Sequence, residues 1–503
     1  MCYTFGVKRE RTRIEGRTAA LAAVLAACVG ACSGSPDGPL VEYPPLSDPP
    51  AAAEPEERSP GDAGAPSRDA SGPEPSSGKK IASGSIFLRG VTSDGALVFE
   101  QDADLMIWPD GAAAPVRLVQ DFSVGEDSAI VRGRVVAAWL GDEIGASAPV
   151  LWTKTSGVTT SSAKIYREAI YPKHGADDFA YLAPSTSSLR RDVWSTKAGG
   201  GAGAKIVSGL ALGYPEEQCR SSIAYSATDL VVAGCSGGGA TPKVVAYALD
   251  GSNTSKTILD GSAPGIFFNR ARTRAVVQTA AASSIRALSG AGAPVPLDGP
   301  VRQAFFSSDD AKVVYLGADK KVRRASTSTP ASPADLAPSA LVILGVSPDA
   351  RFVVVGTTGD PSKNRTDLVA LDANAAGASP RTLVQKDGTL VGMSTSGATV
   401  VYLDDPNGAL DPPLRVASLP GGAPHTLSPA SAREIVDGDV VYWQEFDKAQ
   451  KANVLKAAPL ANPSAVVTVA DGLDPLTATM RVVGKKLFIA SKLGLWELPA
   501  LTP

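Results

Sequence analysis

Residues Leu341 to Val355 (LVILGVSPDARFVVV) alternate between apolar runs and a short polar break, which predicts a strand, a Ser-Pro-Asp turn and a second strand. The same beat recurs at Val91 to Phe99, Phe305 to Tyr315 (FFSSDDAKVVY), Met393 to Tyr402 (MSTSGATVVY) and Ile435 to Tyr442 (IVDGDVVY). Predicted turn centres fall near Asp94, Glu126, Asp177, Thr228, Arg272, Asp309, Asp349, Gly397, Asp437 and Gly484. Intervals such as 349 − 309 = 40 and 437 − 397 = 40 match the ~40 to 50 residues of a four-stranded propeller blade. Each beat leads into a second strand pair, as in LRVASLPGG (Leu414 to Gly422) before Pro424 to Leu427. Ser347-Pro348-Asp349 reads as turn chemistry, with Pro348 fixing φ and the two polar side chains meeting local backbone groups.

A Ser-Pro/Asp-Asp/Gly turn running into an apolar strand, followed by Leu-x-Gly-Gly-x-Pro-x-x-Leu, resembles the TolB-like, PD40 (WD40-like) β-propeller repeat. The resemblance implies an all-β propeller over residues 81–503, since radially stacked blades bury the faces that one strand pair leaves open. Ten beats exceed the usual four to eight blades of a propeller, so the expectation is one ring of about 7–8 blades with some beats as outer hairpins. Two smaller rings are the alternative. The ending Leu487 to Leu498 is strand-like and is expected to complete a blade with the first strand near Ser85 to Arg89.

Upstream the pattern changes twice. Lys8 to Arg17 is basic and Thr18 to Ala31 is a short run of small apolar residues, the layout of a secretory signal too short to span a bilayer. Cys28 and Cys32 each close a segment that resembles the lipobox of bacterial lipoproteins, which implies acylation, at Cys32 or alternatively Cys28. The non-acidic residue that follows either cysteine implies an outer-membrane lipoprotein of the cell envelope, held through a lipid anchor. Residues 1–31 are thus the signal peptide. Residues 32–80 are Pro/Gly/Ser-rich with no hydrophobic period, which predicts a disordered tether with a mean reach of about 40 Å.

Composition adds exclusions. Lys+Arg 48 against Asp+Glu 51 makes −3; removing five bases and two acids of residues 1–31 leaves −6, of which Ser33 to Lys80 holds −5. The folded body is near −1, with no electrostatic footprint for nucleic acid. Only two histidines, His174 and His425, are available for metal or acid-base chemistry, and no cofactor is implied.

Five groups of residues merit a chemical reading. Cys219 and Cys235 flank a hairpin centred at Ala227, since (219 + 235)/2 = 227, and in an oxidising compartment that supports a disulfide stabilising by about 3 kcal/mol at most. Gly234 to Gly238 matches G-x-S-x-G, but a hydrolase elbow needs a helix to follow, and none is predicted. Asp404, Asp405, Asn407 and Asp411 could offer oxygens to Ca²⁺, as could the segment from Gly359 and Asp360 through Asn364 to Asp367, although Asx turns explain the same residues. Arg270, Arg272 and Arg274 alternate, and with Lys320, Lys321, Arg323 and Arg324 would form a basic patch if the two beats are adjacent blades. No catalytic residue is assigned. The function read from all this is a non-catalytic binding or scaffold module for protein or glycan. The alternatives are a propeller enzyme acting on extracellular glycans or lactones, and a purely structural envelope protein.

Overall fold

The computed structural model describes residues 78–502 apart from breaks at 124–126, 142–145, 168, 174, 187–189, 197–202, 212–221, 227, 235–242, 250–253, 280–281, 330–332, 361–364, 375–379, 386–387, 406–410, 450 and 474–478. Ten four-stranded antiparallel sheets form in it. Their innermost strands are Ile86–Val91, Ser128–Arg132, Ile170–Pro172, Ser222–Tyr225, Ser262–Phe268, Val301–Phe306, Val342–Val346, Gly388–Met393, Ala432–Asp437 and Thr479–Val483. Each touches the innermost strand of the next sheet, and the tenth touches the first, so the sheets are ten blades of a single closed propeller. The expected 7–8 blades are therefore corrected to ten. Every beat is a blade, and none is an outer hairpin.

Strands within a blade are named A to D from the axis outward. Nine of the ten predicted turn centres fall at A–B turns; in blade 2 the turn is Gly133-Arg134, not Glu126. The core explains why the B strands read as unbroken apolar runs rather than alternating ones. It divides into ten clusters, one per interface between neighbouring blades. In the B strand of blade 7, Val353 and Val355 pack toward blade 6 while Val354 packs toward blade 8. A strand buried on both faces needs apolar residues at both parities.

The ring closes through its termini. The last blade takes three strands from the C-terminal end and its outermost strand, Lys79–Ser83, from the N-terminal end, paired antiparallel to Gly494–Pro499. The closing strand thus precedes the expected Ser85 to Arg89, and Ile86–Val91 is instead strand A of blade 1. Gly494 makes that closure fit, because a Cβ there would overlap the Ala82 carbonyl oxygen.

The A–B turns carry a recurring hydrogen-bond device. The Ser347 hydroxyl accepts from the N–H groups of Arg351 (3.0 Å) and Phe352 (2.8 Å) and donates to Asp349 at 2.6 Å. Ser307 and Asp309 repeat it, with Lys312 N–H donating to Ser307 at 2.9 Å. Hydrogen bonds hold both aspartates below the usual carboxylate range: at Asp309 chiefly from Ser307, and at Asp349 from Ser347 and Arg351, against an opposing effect of burial. The polar residues of the repeat are therefore consumed in building turns.

Candidate binding face

The antiparallel meander gives the ring two unlike faces. All A–B and C–D turns lie on one, here the turn face; all B–C and D–A connections lie on the other, the loop face. Neighbouring A–B turns are stitched together across the turn face: Ser308 N–H donates to Pro348 O at 2.6 Å, Asn269 to Asp310 at 2.8 Å, and Thr395 N–H to Asp439 at 2.8 Å. The short, hydrogen-bonded A–B turns leave the part of that face around the axis little freedom to adapt, while its C–D connections run longer, as at 460–466 between strands.

The loop face is built differently. Its B–C connections include the long spans 140–149, 235–242 and 405–413 between strands, and the first contributes to an extra two-stranded ribbon, Ala146–Ser147 with Ile165–Tyr166. The four exposed leucine and phenylalanine side chains among the described residues all lie at the loop-face end of their strands: Phe87, Leu140, Leu341 and Phe446. Phe87 stands on strand A of blade 1, beside the axis. Next to it Arg89, at a bulge, sits 5.0 Å from the Phe87 ring and 5.9 Å from Phe122, and pairs with Glu100. Burial pushes the Glu100 carboxyl up, more than Arg89 lowers it.

A second charged cluster marks the loop-face end of blade 6. Arg323, 6% exposed, contacts Asp319 at 2.5 Å and Asp335 at 2.9 Å, and Lys321 contacts Asp335 at 3.0 Å. Hydrogen bonding from Arg323 lowers Asp319, bonding from Lys321 lowers Asp335, and burial pushes the nearby Tyr315 hydroxyl up to about 12. Every charge here is compensated.

This geometry divides the expected basic patch. Arg270 and Arg272 lie in the A–B turn of blade 5, with Arg272 at φ +53, so the three arginines do not share a strand face. Arg272 donates to Tyr225 O at 3.0 Å and Arg274 to Thr327 O at 2.7 Å, bridging to blades 4 and 6. Lys320 and Lys321 sit at the opposite face, in the B–C turn of blade 6, and Arg324 donates to Asn374 at 2.7 Å. Adjacent blades do not unite these charges, because Lys320, Lys321 and Arg323 belong to the loop-face end of blade 6, while the arginines of blade 5 and Arg324, through Asn374, lie toward the turn face.

The remaining candidates fall as follows. Asp404 pairs with Arg415 at 2.9 Å; Asp405 and Asp411 are described, and Asn407 lies outside the described residues. Asp360 and Asp367 are in the two strands of a long hairpin, and Asn364 lies outside the description. Among the described residues no group of three His, Cys, Asp or Glu side chains converges as metal ligands do. Gly234 ends a strand, and the chain resumes as the next strand of the same antiparallel sheet at Lys243, which is not the strand-to-helix setting of a hydrolase elbow. Cys219, Cys235, Cys28 and Cys32 lie outside the described residues; the hairpin between the first two is present, with Ser222 opposite Ala233.

Sequence reasoning missed the exposed Phe87, Leu140, Leu341 and Phe446. Each is an ordinary member of an apolar run, and only the register shows that it ends beyond the interblade core.

No family model matches the chain, and no curated protein matches it. Solved structures similar to it include the eukaryotic initiation factor, at 12% identity over 69% of this chain and 87% of that chain with a TM-score of 0.46. The β-propeller domain of the Trilobed protease from Pyrococcus furiosus is 9% identical over 56% of this chain and 98% of that chain, with a TM-score of 0.31. A prolyl endopeptidase is 11% identical over 76% of this chain and 55% of that chain, with a TM-score of 0.38. The class the strand pairing itself defines is an all-β propeller, closed by its own N-terminal strand.

Proposed function

We propose that the protein is a membrane-tethered, extracytoplasmic propeller of the TolB-like repeat type that binds a protein or glycan partner on its loop face, acting as a non-catalytic scaffold. The observation that carries this is the placement of Phe87, Leu140, Leu341 and Phe446, exposed on that face, while the opposite face is stitched by turn-to-turn hydrogen bonds. Exposed aromatic and aliphatic anchors on a loop-bearing face are what a recognition surface uses. The enzyme alternative needs carboxylates converging from several strands on the axis. The acidic side chains of the described innermost strands, Glu434 and Asp437, share one strand.

The tether and anchor follow from residues 1–80, with Cys32, or alternatively Cys28, as the acylated residue and Cys219–Cys235 as a disulfide. Crosslinking of the full chain in its envelope, comparing the wild type with L341S/F446S and with D110S on the turn face, tests the binding reading. Loss of the crosslinked partner only in L341S/F446S is expected; a partner retained by L341S/F446S, or none recovered from the wild type, would overturn it. Fatty-acid labelling of C32S and C28S tests the anchor, and a shift between reducing and non-reducing gels tests the disulfide.

A further inference from the structure

Four further exposed apolar side chains are unlike the loop-face set. Val116, Val158, Val466 and Val467 are 45%, 39%, 41% and 41% exposed, and all lie at or beside the turn-face start of outermost strands. They belong to blades 1, 2 and 9. Blades 9 and 1 flank blade 10, with blade 2 next beyond blade 1, and the outermost strand of blade 10, Lys79–Ser83, enters from the turn face. The strand starts at the turn face, so the described chain enters the ring at Lys79, in the middle of this apolar arc.

Across the ring, at the same positions, Ser255, Lys256 and Thr257 in blade 4 and His425 and Thr426 in blade 8 are exposed and polar. The arc also carries exposed basic side chains, Lys79, Lys80, Lys154 and Lys485, with Asp110 and Asp437 as exposed acids. Isolated exposed valines need no explanation. Four confined to one arc, interleaved with lysines and centred on the entering strand Lys79–Ser83, form a surface that is apolar and cationic together.

We infer that this rim sector of blades 9, 10, 1 and 2 rests on an anionic phospholipid surface, so that the ring meets the bilayer by its turn-face edge and holds the loop face clear. Apolar side chains entering the headgroup boundary and lysines beside anionic lipid act additively in such contacts. A second copy of the chain is a poorer occupant, since a two-fold contact would bring the same lysines against one another. The inference rests on the tethered reading only in taking the membrane as the anchoring one.

Hydrogen exchange of the full chain, with and without vesicles of phosphatidylcholine and phosphatidylglycerol, reads it out. Vesicle-dependent protection is expected at residues 79–82, 116–117, 157–160 and 466–468, and none at 255–257 or 425–426. V158E/V467E should bind these vesicles about a hundredfold more weakly, roughly tenfold for each valine kept out of the boundary, while K256E binds as the wild type does. No binding, protection on the polar arc or the loop face, or the same protection produced by self-association without vesicles would each overturn it. Acyl labelling is a separate readout: its failure removes the anchor and leaves the vesicle result standing.

Discussion

Gly392 offers a test of how the ring is packed. It lies on strand A of blade 8, just after a bulge, and a Cβ built there would sit 2.8 Å from Val436 Cβ and 3.1 Å from Val436 Cγ2 in blade 9. Its φ is outside the left-handed region, so space alone forbids the side chain. Carbon atoms in contact rest at about 3.5 to 4.0 Å, and a β-branched neighbour fixed to its own backbone cannot swing away, so two blades must part by roughly 0.7 Å or more. Overpacking of this kind costs about 1–3 kcal/mol. Gly345 against Met393, and Gly90 against Val131, repeat the arrangement between other pairs of blades. Gly392→Ala should therefore lower the denaturant midpoint by that amount, whereas Gly421→Ala, whose Cβ meets nothing within 4 Å, should be neutral or slightly stabilising. A cycle with Val436→Gly should be non-additive by about 1 kcal/mol or more, because relief on one side helps only when the other is crowded. A Gly392→Ala midpoint equal to wild type, or an additive cycle, would refute the claim that close approach of innermost strands is what selects glycine here.

Further outcomes follow from the same structure. Ser347→Ala strips an acceptor from the Phe352 and Arg351 N–H groups and should cost about 1–3 kcal/mol in chemical denaturation. Asp349 has a depressed pKa, so its contribution is present above the ordinary value of 3.8 and is lost as pH falls through the folded value; Ser347→Ala should reduce that acid sensitivity in denaturation at pH 7 and pH 3. Glu434 has the opposite sign: burial pushes it up despite the hydrogen bond from Ser431 at 2.7 Å, so Glu434→Gln should raise the midpoint at pH 7, with the gain vanishing below about pH 4. Arg323→Ala leaves Asp319 and Asp335 facing each other and should destabilise by about 1–2 kcal/mol, well below a fully buried pair because both carboxylates are half exposed, with Arg323→Lys recovering only part. Deleting residues 1–83 rather than 1–77 removes the strand that closes blade 10 and exposes the edge of Gly494–Pro499, so only the longer deletion should aggregate on a sizing column.

The architecture was legible because a blade's most regular feature is also its most local one. A Ser-x-Asp turn between two apolar runs is set by hydrogen bonds within six residues, so it survives where the outer strands have drifted, and counting turns amounted to counting blades. The expectation of 7–8 blades comes from the customary range for propellers and not from the chain, which shows ten beats and folds into ten blades. Blade 2 shows where local reading falls short: its A–B turn is only Gly133-Arg134, and the polar Glu126 upstream offers a false centre. The closing strand was out of reach for another reason. Lys79–Ser83 (KKIAS) has almost no apolar pattern, and it is a strand because Gly494–Pro499 offers it an edge.

Sites were less legible than strands because a site depends on which end of a strand a residue occupies. Arg270, Arg272 and Arg274 alternate in sequence, but alternation means a shared face only on a strand, and Arg272 at φ +53 belongs to a turn. Lys320 and Lys321 are as basic and lie one blade away, yet they follow a B strand where the first group precedes one, and that difference puts them on the far side of the ring. The same rule works in the other direction. Phe446 and Val467 are both exposed, both on blade 9 and both in apolar runs; Phe446 nears the end of strand B and so faces the loops, while Val467 starts strand D and faces the turns. In a closed meander, strand order and position along the strand together assign every surface residue to a face. Two exposed residues of one blade can therefore serve two different partners.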